Sequence, residues 1–164
     1  MQMIEWSSFL EDALFAAMAA IGFSSISHTP QRTYIVCALA AACGHATRYL
    51  LMQPFCGNMN IILAGALAAF VVGLVAVALA PVVKVPAEAC FFPALLPMIP
   101  GMYAYRTISA LVACVTNLQE AEFMHNLYVL CFNGFTCVFI VIGMVIGANL
   151  PVFIFKKISF QATR

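Results

Sequence analysis

From Ile61 to Val83 the chain reads IILAGALAAFVVGLVAVALAPVV, a run without one charged side chain. As a helix rising about 1.5 Å per residue it is about 35 Å long, enough to cross a hydrocarbon layer about 30 Å thick. Backbone groups in hydrocarbon find no water to bond, so only helices and closed barrels can cross it. A barrel needs short segments of strict apolar-polar alternation, and this sequence has none. The run therefore predicts a spanning helix, and the rest of the chain has to be compatible with lipid. Composition agrees: 65% of residues are hydrophobic and 8% charged, where soluble domains carry about 25% charged residues.

Five apolar segments separated by short polar joints follow from the pattern, over about 9–26, 33–52, 61–83, 86–115 and 127–155. The expected fold class is an all-α integral membrane protein, a single multi-pass domain over 1–164 with no separate soluble part. Acidic residues in MQMIEWSSFLEDALF stand where a signal peptide needs basic ones, so the first helix is expected to remain in the mature protein. If all five segments cross, Arg32, Lys84, Lys156, Lys157 and Arg164 share one side and Glu5, Glu120 and Glu122 the other. Basic residues collect on the cytoplasmic side, which predicts the N-terminus outside and the C-terminus in the cytoplasm.

The net charge of +1 offers no footprint for nucleic acid. Seven cysteines are scattered without a CxxC pair and read as small packing residues rather than metal or redox ligands. No second histidine stands at ligand spacing from His45, so no metal or other cofactor is expected. No nucleophile with a neighbouring base stands out either, which leaves a membrane enzyme the weakest of the functional classes.

The fourth segment, LLPMIPGMYAYR at its centre, is the irregular one. At about 30 residues it is about 45 Å as one helix, too long for a single crossing, and Pro93, Pro97, Pro100 and Gly101 interrupt it. Two half-helices with a break near Pro97–Gly101 resolve both problems, because proline fits the first turn of a helix. Broken backbone at membrane depth is tolerated where protein or a cavity surrounds it. The new helix start then offers its positive end to a carboxylate. A proline kink that only shapes packing is the plainer alternative.

Polar residues at depth complete the candidates. His45 and Arg48 in CGHATRY are three apart and share a helix face. An ionisable group in a spanning segment usually faces a bundle interior or a water cavity, although Arg48 near a helix end could also snorkel to the headgroups. Glu11 and Asp12 either mark the outer boundary or supply a proton-titrating carboxylate. Asn133 and Thr136 could bond across an interface or touch a substrate. Gly65, Ala69 and Gly73, and likewise Gly143 and Gly147, form small-residue stripes that suit close helix packing.

GFSSISHTPQR, GHATRYLLM and LLPMIPGMYAY, in this order and spacing, resemble the small YjjB-type subunit of the threonine/serine exporter family over nearly the whole chain. The GHxxR pattern falls on Gly44, His45 and Arg48, and the PGxxAY pattern on Pro100, Gly101, Ala104 and Tyr105. An acidic position early in the first helix matches Asp12, which the resemblance favours as the proton-coupling residue. His28 stands before Thr29 and Pro30 where a more apolar residue is expected. The resemblance implies efflux of threonine and serine, or of dicarboxylates such as succinate, across the bacterial cytoplasmic (inner) membrane. It also implies a larger YjjP-type membrane protein as partner. The resulting expectation is a transporter subunit, not an enzyme, whose substrate path uses Arg48, His45, Pro100, Gly101, Tyr105, Arg106 and Asn133. Five helices form only a small shell, so a partner half or a homo-oligomer is expected on size alone. The competing expectation is a structural subunit that stabilises its partner without touching substrate.

Overall fold

The computed structural model describes residues 6–54, 58–116 and 119–156. Glu5, Cys56, Lys157 and Arg164 lie outside them. Among the described residues the architecture is all-α: α1 Trp6–Ile26, α2 Tyr34–Met52, α3 Ile61–Val83, α4 Ala87–Leu95, α5 Gly101–Thr116 and α6 Glu120–Ile154. Short 3-10 turns occupy Gln31–Thr33 and Leu96–Met98. α1, α2 with its leading turn, α3 and α6 are each long and apolar enough to cross a membrane; α4 and α5 together make a fifth, interrupted candidate. The protein is a multi-pass membrane protein.

The ends of the helices follow local chemistry. Asn60 caps α3, its Oδ1 accepting the Ile62 N–H at 3.1 Å. Lys84 closes the same helix in the left-handed region at φ 53°, with its N–H reaching Ala80 O and Pro81 O. His28 has the same φ of 53° in the turn after α1. A β-branched apolar residue would be strained there, whereas histidine is enriched among non-glycine residues with this backbone, which accounts for the unexpected residue before Thr29-Pro30. α6 starts at Glu120, well before the apolar stretch expected from Leu127. Glu120 and Glu122 in its first turn suit the positive end of the helix and carry it past the lipid boundary.

The chain forms two compact units, Met1–Met98 with Gly143–Arg164, and Ile99–Ile142. In the first, α2 packs against α1, α3 and α4. Its core is built largely of alanine: Ala16, Ala20, Ala40, Ala41, Ala64, Ala68, Ala69, Ala76, Ala80, Ala87 and Ala94 are all buried. Leu10, Leu14, Phe15, Leu39, Leu63 and Val82 point outward instead. Lipid is as apolar as leucine, so burying a large side chain gains little, whereas small residues let backbones approach. The two predicted glycine stripes meet each other. A Cβ on Gly73 would strike the Ala148 carbonyl and one on Gly147 the Ala66 carbonyl, while Gly143 faces Ala66 at 3.3 Å. Cys37 and Cys90 are buried packing residues, and the Cys37 thiol points to Ala89 O at 3.9 Å.

In the second unit α5 begins directly after Pro100, and its Thr107 lies against Gly134 of α6. The Cys114 thiol points to Phe123 O at 3.9 Å. A shallow apolar groove of about 280 Å³ runs beside Thr107, Leu130, Gly134 and Val138.

Candidate functional site

Asp12, Ala16, Ala20 and Ser24 recur every four residues along α1, and the last three are buried. Cys37, Ala41, Gly44 and His45 form the matching buried face of α2. Packing these two faces carries Asp12 to His45. The His45 Nδ1 lies 3.2 Å from Asp12 Oδ2 and 3.3 Å from Oδ1. Arg48 Nη2 approaches the same Nδ1 at 3.4 Å. Glu11, one residue away, is exposed and takes no part. Gly44, beside His45, serves the neighbouring contact instead: a Cβ there would collide with Val72 Cγ2, so α2 could not sit where it does on α3.

The arrangement has a built-in choice. Nδ1 carries either a hydrogen or a lone pair. As N–H it donates to the Asp12 carboxylate, and Arg48 has no bond to make with it. As a bare lone pair it accepts from Arg48, and Asp12 must then be satisfied elsewhere. Proton position therefore decides whether the guanidinium is engaged or available. His45 is 5% exposed and its other nitrogen, Nε2, is buried with no partner among the described residues. A buried ring nitrogen left unmet, as donor or acceptor according to the tautomer, costs about 1–3 kcal/mol.

A cavity of about 370 Å³ opens beside this cluster, lined by Asp12, Arg48, Tyr49, Met52 and Gln53. Phe9 meets Tyr49 edge to face at 5.7 Å and Trp6 meets Phe9 at 6.1 Å, an aromatic rim at the same end of α1. Asp12 stands about 9 Å along α1 from Trp6, a residue type that favours the membrane interface. Nothing in the sequence singles out Tyr49, Met52 and Gln53, although Tyr49 and Met52 stand one turn beyond His45 and Arg48.

The other predicted residues belong to the second unit. Pro100 O accepts from the Tyr103 and Ala104 N–H groups, both at 3.1 Å, and the Gly101 N–H donates to Ile99 O at 2.8 Å. These first-turn donors are already satisfied within the chain. A Cβ on Gly101 would meet nothing within 4 Å. Tyr105 and Arg106 are exposed. Asn133 is buried, and its amide donates to Val129 O at 2.7 Å on its own helix. Thr136 likewise donates to Phe132 O. Among the described residues no three His, Cys, Asp or Glu side chains are grouped to hold a metal.

The sequence profile described as Threonine/Serine exporter, ThrE matches residues 12–154. The chain belongs to the threonine/serine exporter family. An uncharacterised protein of Haemophilus influenzae (strain ATCC 51907 / DSM 11121 / KW20 / Rd) is 32% identical over 149 residues, covering 90% of this chain and 48% of the relative. The chain thus spans about half the length of that relative. No solved structure matches it. The family match begins at Asp12, so the site's three ionisable residues all fall inside it.

Proposed function

We propose that this chain is one half of a bacterial inner-membrane exporter for small carboxylate-bearing metabolites, working with a YjjP-type protein that supplies the other half. The observation that carries this reading is the meeting of Asp12, His45 and Arg48 beside a cavity of about 370 Å³. Arg48 offers a forked, permanently charged partner for a carboxylate. Asp12 offers the counter-ion for an ammonium group. Together they match an α-amino acid such as threonine or serine, whose two charges are both accommodated.

The pair also supplies a coupling rule. Protonating Asp12 removes the ammonium's counter-ion, so proton and amino acid compete for the site. Competition between two ligands is the condition for exchanging one against the other across a membrane. For a dicarboxylate such as succinate the sign reverses: a protonated Asp12 leaves the cluster more positive and strengthens anion binding. The site therefore favours threonine or serine exported against protons, with Asp12 as the titrating group. In the orientation with the N-terminus outside, the cavity lies toward the outer face. Neither a resident cofactor nor enzymatic chemistry enters this scheme.

Efflux of threonine, serine and succinate from cells with and without the partner tests the reading. Arg48→Ala is expected to abolish amino-acid efflux while the complex still assembles. Asp12→Asn is expected to abolish proton-driven efflux of the amino acids. Unchanged efflux by an assembled Arg48→Ala complex would instead assign the chain a structural role beside a partner that holds the substrate alone. Succinate efflux that survives or rises in Asp12→Asn would move the substrate class to dicarboxylates.

A further inference from the structure

The helix α5 presents three faces. Tyr103, Thr107, Ala110 and Cys114 turn toward α6, as the Thr107 contact, the burial of Ala110 and the Cys114 bond record. Ala104, Ile108, Leu111 and Val115 make an apolar face, the last three exposed and suited to lipid. The third face is exposed and mixed: Tyr105, Arg106, Ser109 and Thr116 share it with Met102 and Val112. Among the described residues the Arg106 guanidinium has neither a hydrogen bond nor an ion pair.

Arg106 lies about 15 Å along the helix from Thr116, half the thickness of a hydrocarbon layer of about 30 Å. That is further than a snorkelling arginine reaches. A bare arginine at that depth costs about 2.5–3.5 kcal/mol even on the mildest scale, so such residues pair with other groups. A second copy fits poorly. A two-fold contact along this face brings Arg106 toward its own like charge, and the acids of the described residues either stand near helix starts, as Glu11, Glu88, Glu120 and Glu122 do, or face His45, as Asp12 does. The Haemophilus relative carries a further half-length of chain in the same polypeptide.

We propose that the Tyr105–Arg106–Ser109 face of α5 is a membrane-buried interface for a second, different polypeptide that places an Asp or Glu of a spanning helix against Arg106. The proposal rests on the reading that a second polypeptide completes the exporter, and it assigns Arg106 to assembly rather than to the substrate. Tyr105 and Ser109 flank the ion pair with hydroxyls that satisfy the remaining carboxylate lone pairs.

A photocrosslinking amino acid placed singly at Tyr105, Ser109, Ile108, Leu111 and Val115 of the full chain, co-expressed with the second polypeptide in membranes, tests this. Cross-links to that polypeptide are expected from Tyr105 and Ser109 and not from the apolar face. In the Ser109 probe background, Arg106→Glu is expected to reduce the cross-link about tenfold or more, as like charges across a desolvated interface do. Reversing the facing acid of the partner to Lys restores it, and Arg106→Gln, which keeps length and polarity, gives an intermediate yield. Membrane levels of each variant, read by immunoblot, separate lost contact from lost insertion. Equal cross-linking from both faces, cross-links to a second copy of this chain, or indifference to Arg106→Glu overturns the proposal. Cross-links to the second polypeptide from other helices only would remove this face and leave the two-part exporter standing; none from any helix would remove both.

Discussion

The two arginines at membrane depth sit in opposite circumstances. Arg48 is drawn into a cluster with His45 and Asp12, and in the same unit Gly73 and Gly147 pack against backbone carbonyls. Arg106 stands on an exposed face without a partner among the described residues, and Gly101 nearby faces open space. The first unit thus meets the cost of its buried polar groups internally, with Nε2 of His45 left over among the described residues. The second unit leaves Arg106 without a partner among the described residues, and the proposed interface would supply it. A site for a transient ligand and a site for a permanent partner differ in this way: the first must be stable when empty, the second is completed only by its occupant.

The strongest way to break the contrast is through the glycines. Gly147→Leu or Gly73→Leu drives a side chain into a backbone carbonyl that cannot rotate away. A loss of about 3 kcal/mol or more is expected, at the upper end for overpacking, seen as aggregation in size-exclusion profiles of the solubilised protein. Gly101→Leu should leave those profiles unchanged; equal damage at both positions would erase the difference between the units.

Next in size is Arg48→Ala, with Arg48→Lys beside it. Losing a charged hydrogen-bond donor to a carboxylate costs about 1.5–3 kcal/mol, or about ten- to hundredfold in substrate affinity. Lysine restores part of it because charge survives and the fork does not. Binding of threonine to the purified complex by calorimetry reads this directly. If Arg106→Lys lowers affinity as far as Arg48→Lys, the two arginines share one role.

A subtler separation comes from Asp12→Asn. The amide oxygen still accepts from His45, so stability should fall by only about 1 kcal/mol, while dependence of efflux on the proton gradient disappears. Thermal unfolding and efflux at imposed gradients give the two numbers. Parallel loss of both would make Asp12 a structural acceptor.

The smallest effect expected is at Gly101→Ala. The position has room and an ordinary helical backbone, so alanine should stabilise α5 by about 0.5–1 kcal/mol, detectable as a slightly higher unfolding temperature. A loss would show that this helix start is approached closely by its partner.

Much of the fold was legible because lipid simplifies the code. Helix lengths followed apolar runs, the break followed Pro97, Pro100 and Gly101, and Gly73, Gly143 and Gly147 are at close helix contacts as small residues at spacing four suggest, although the spacing does not say which helices they join. His45 and Arg48 were visible as one face, since i and i+3 are neighbours on any helix. Asp12 against Glu11 was decided in sequence only by family resemblance. The packing of Ala16, Ala20 and Ser24 fixes which of the two turns inward. Asn133 was legible only as a polar residue at depth; that it is buried and donates to Val129 O on its own helix came from the structure.

Composition, periodicity and proline placement, by themselves, determined that this chain is a bundle of membrane helices with one interrupted member, because those properties act along a single helix. The meeting of Asp12 with His45 across 33 positions, the cavity beside Arg48 and the bare face around Arg106 were decided by tertiary structure alone. Which residues face one another between helices depends on the rotation and register of each pair, and these are set by the collective fit of many small side chains that no local pattern encodes.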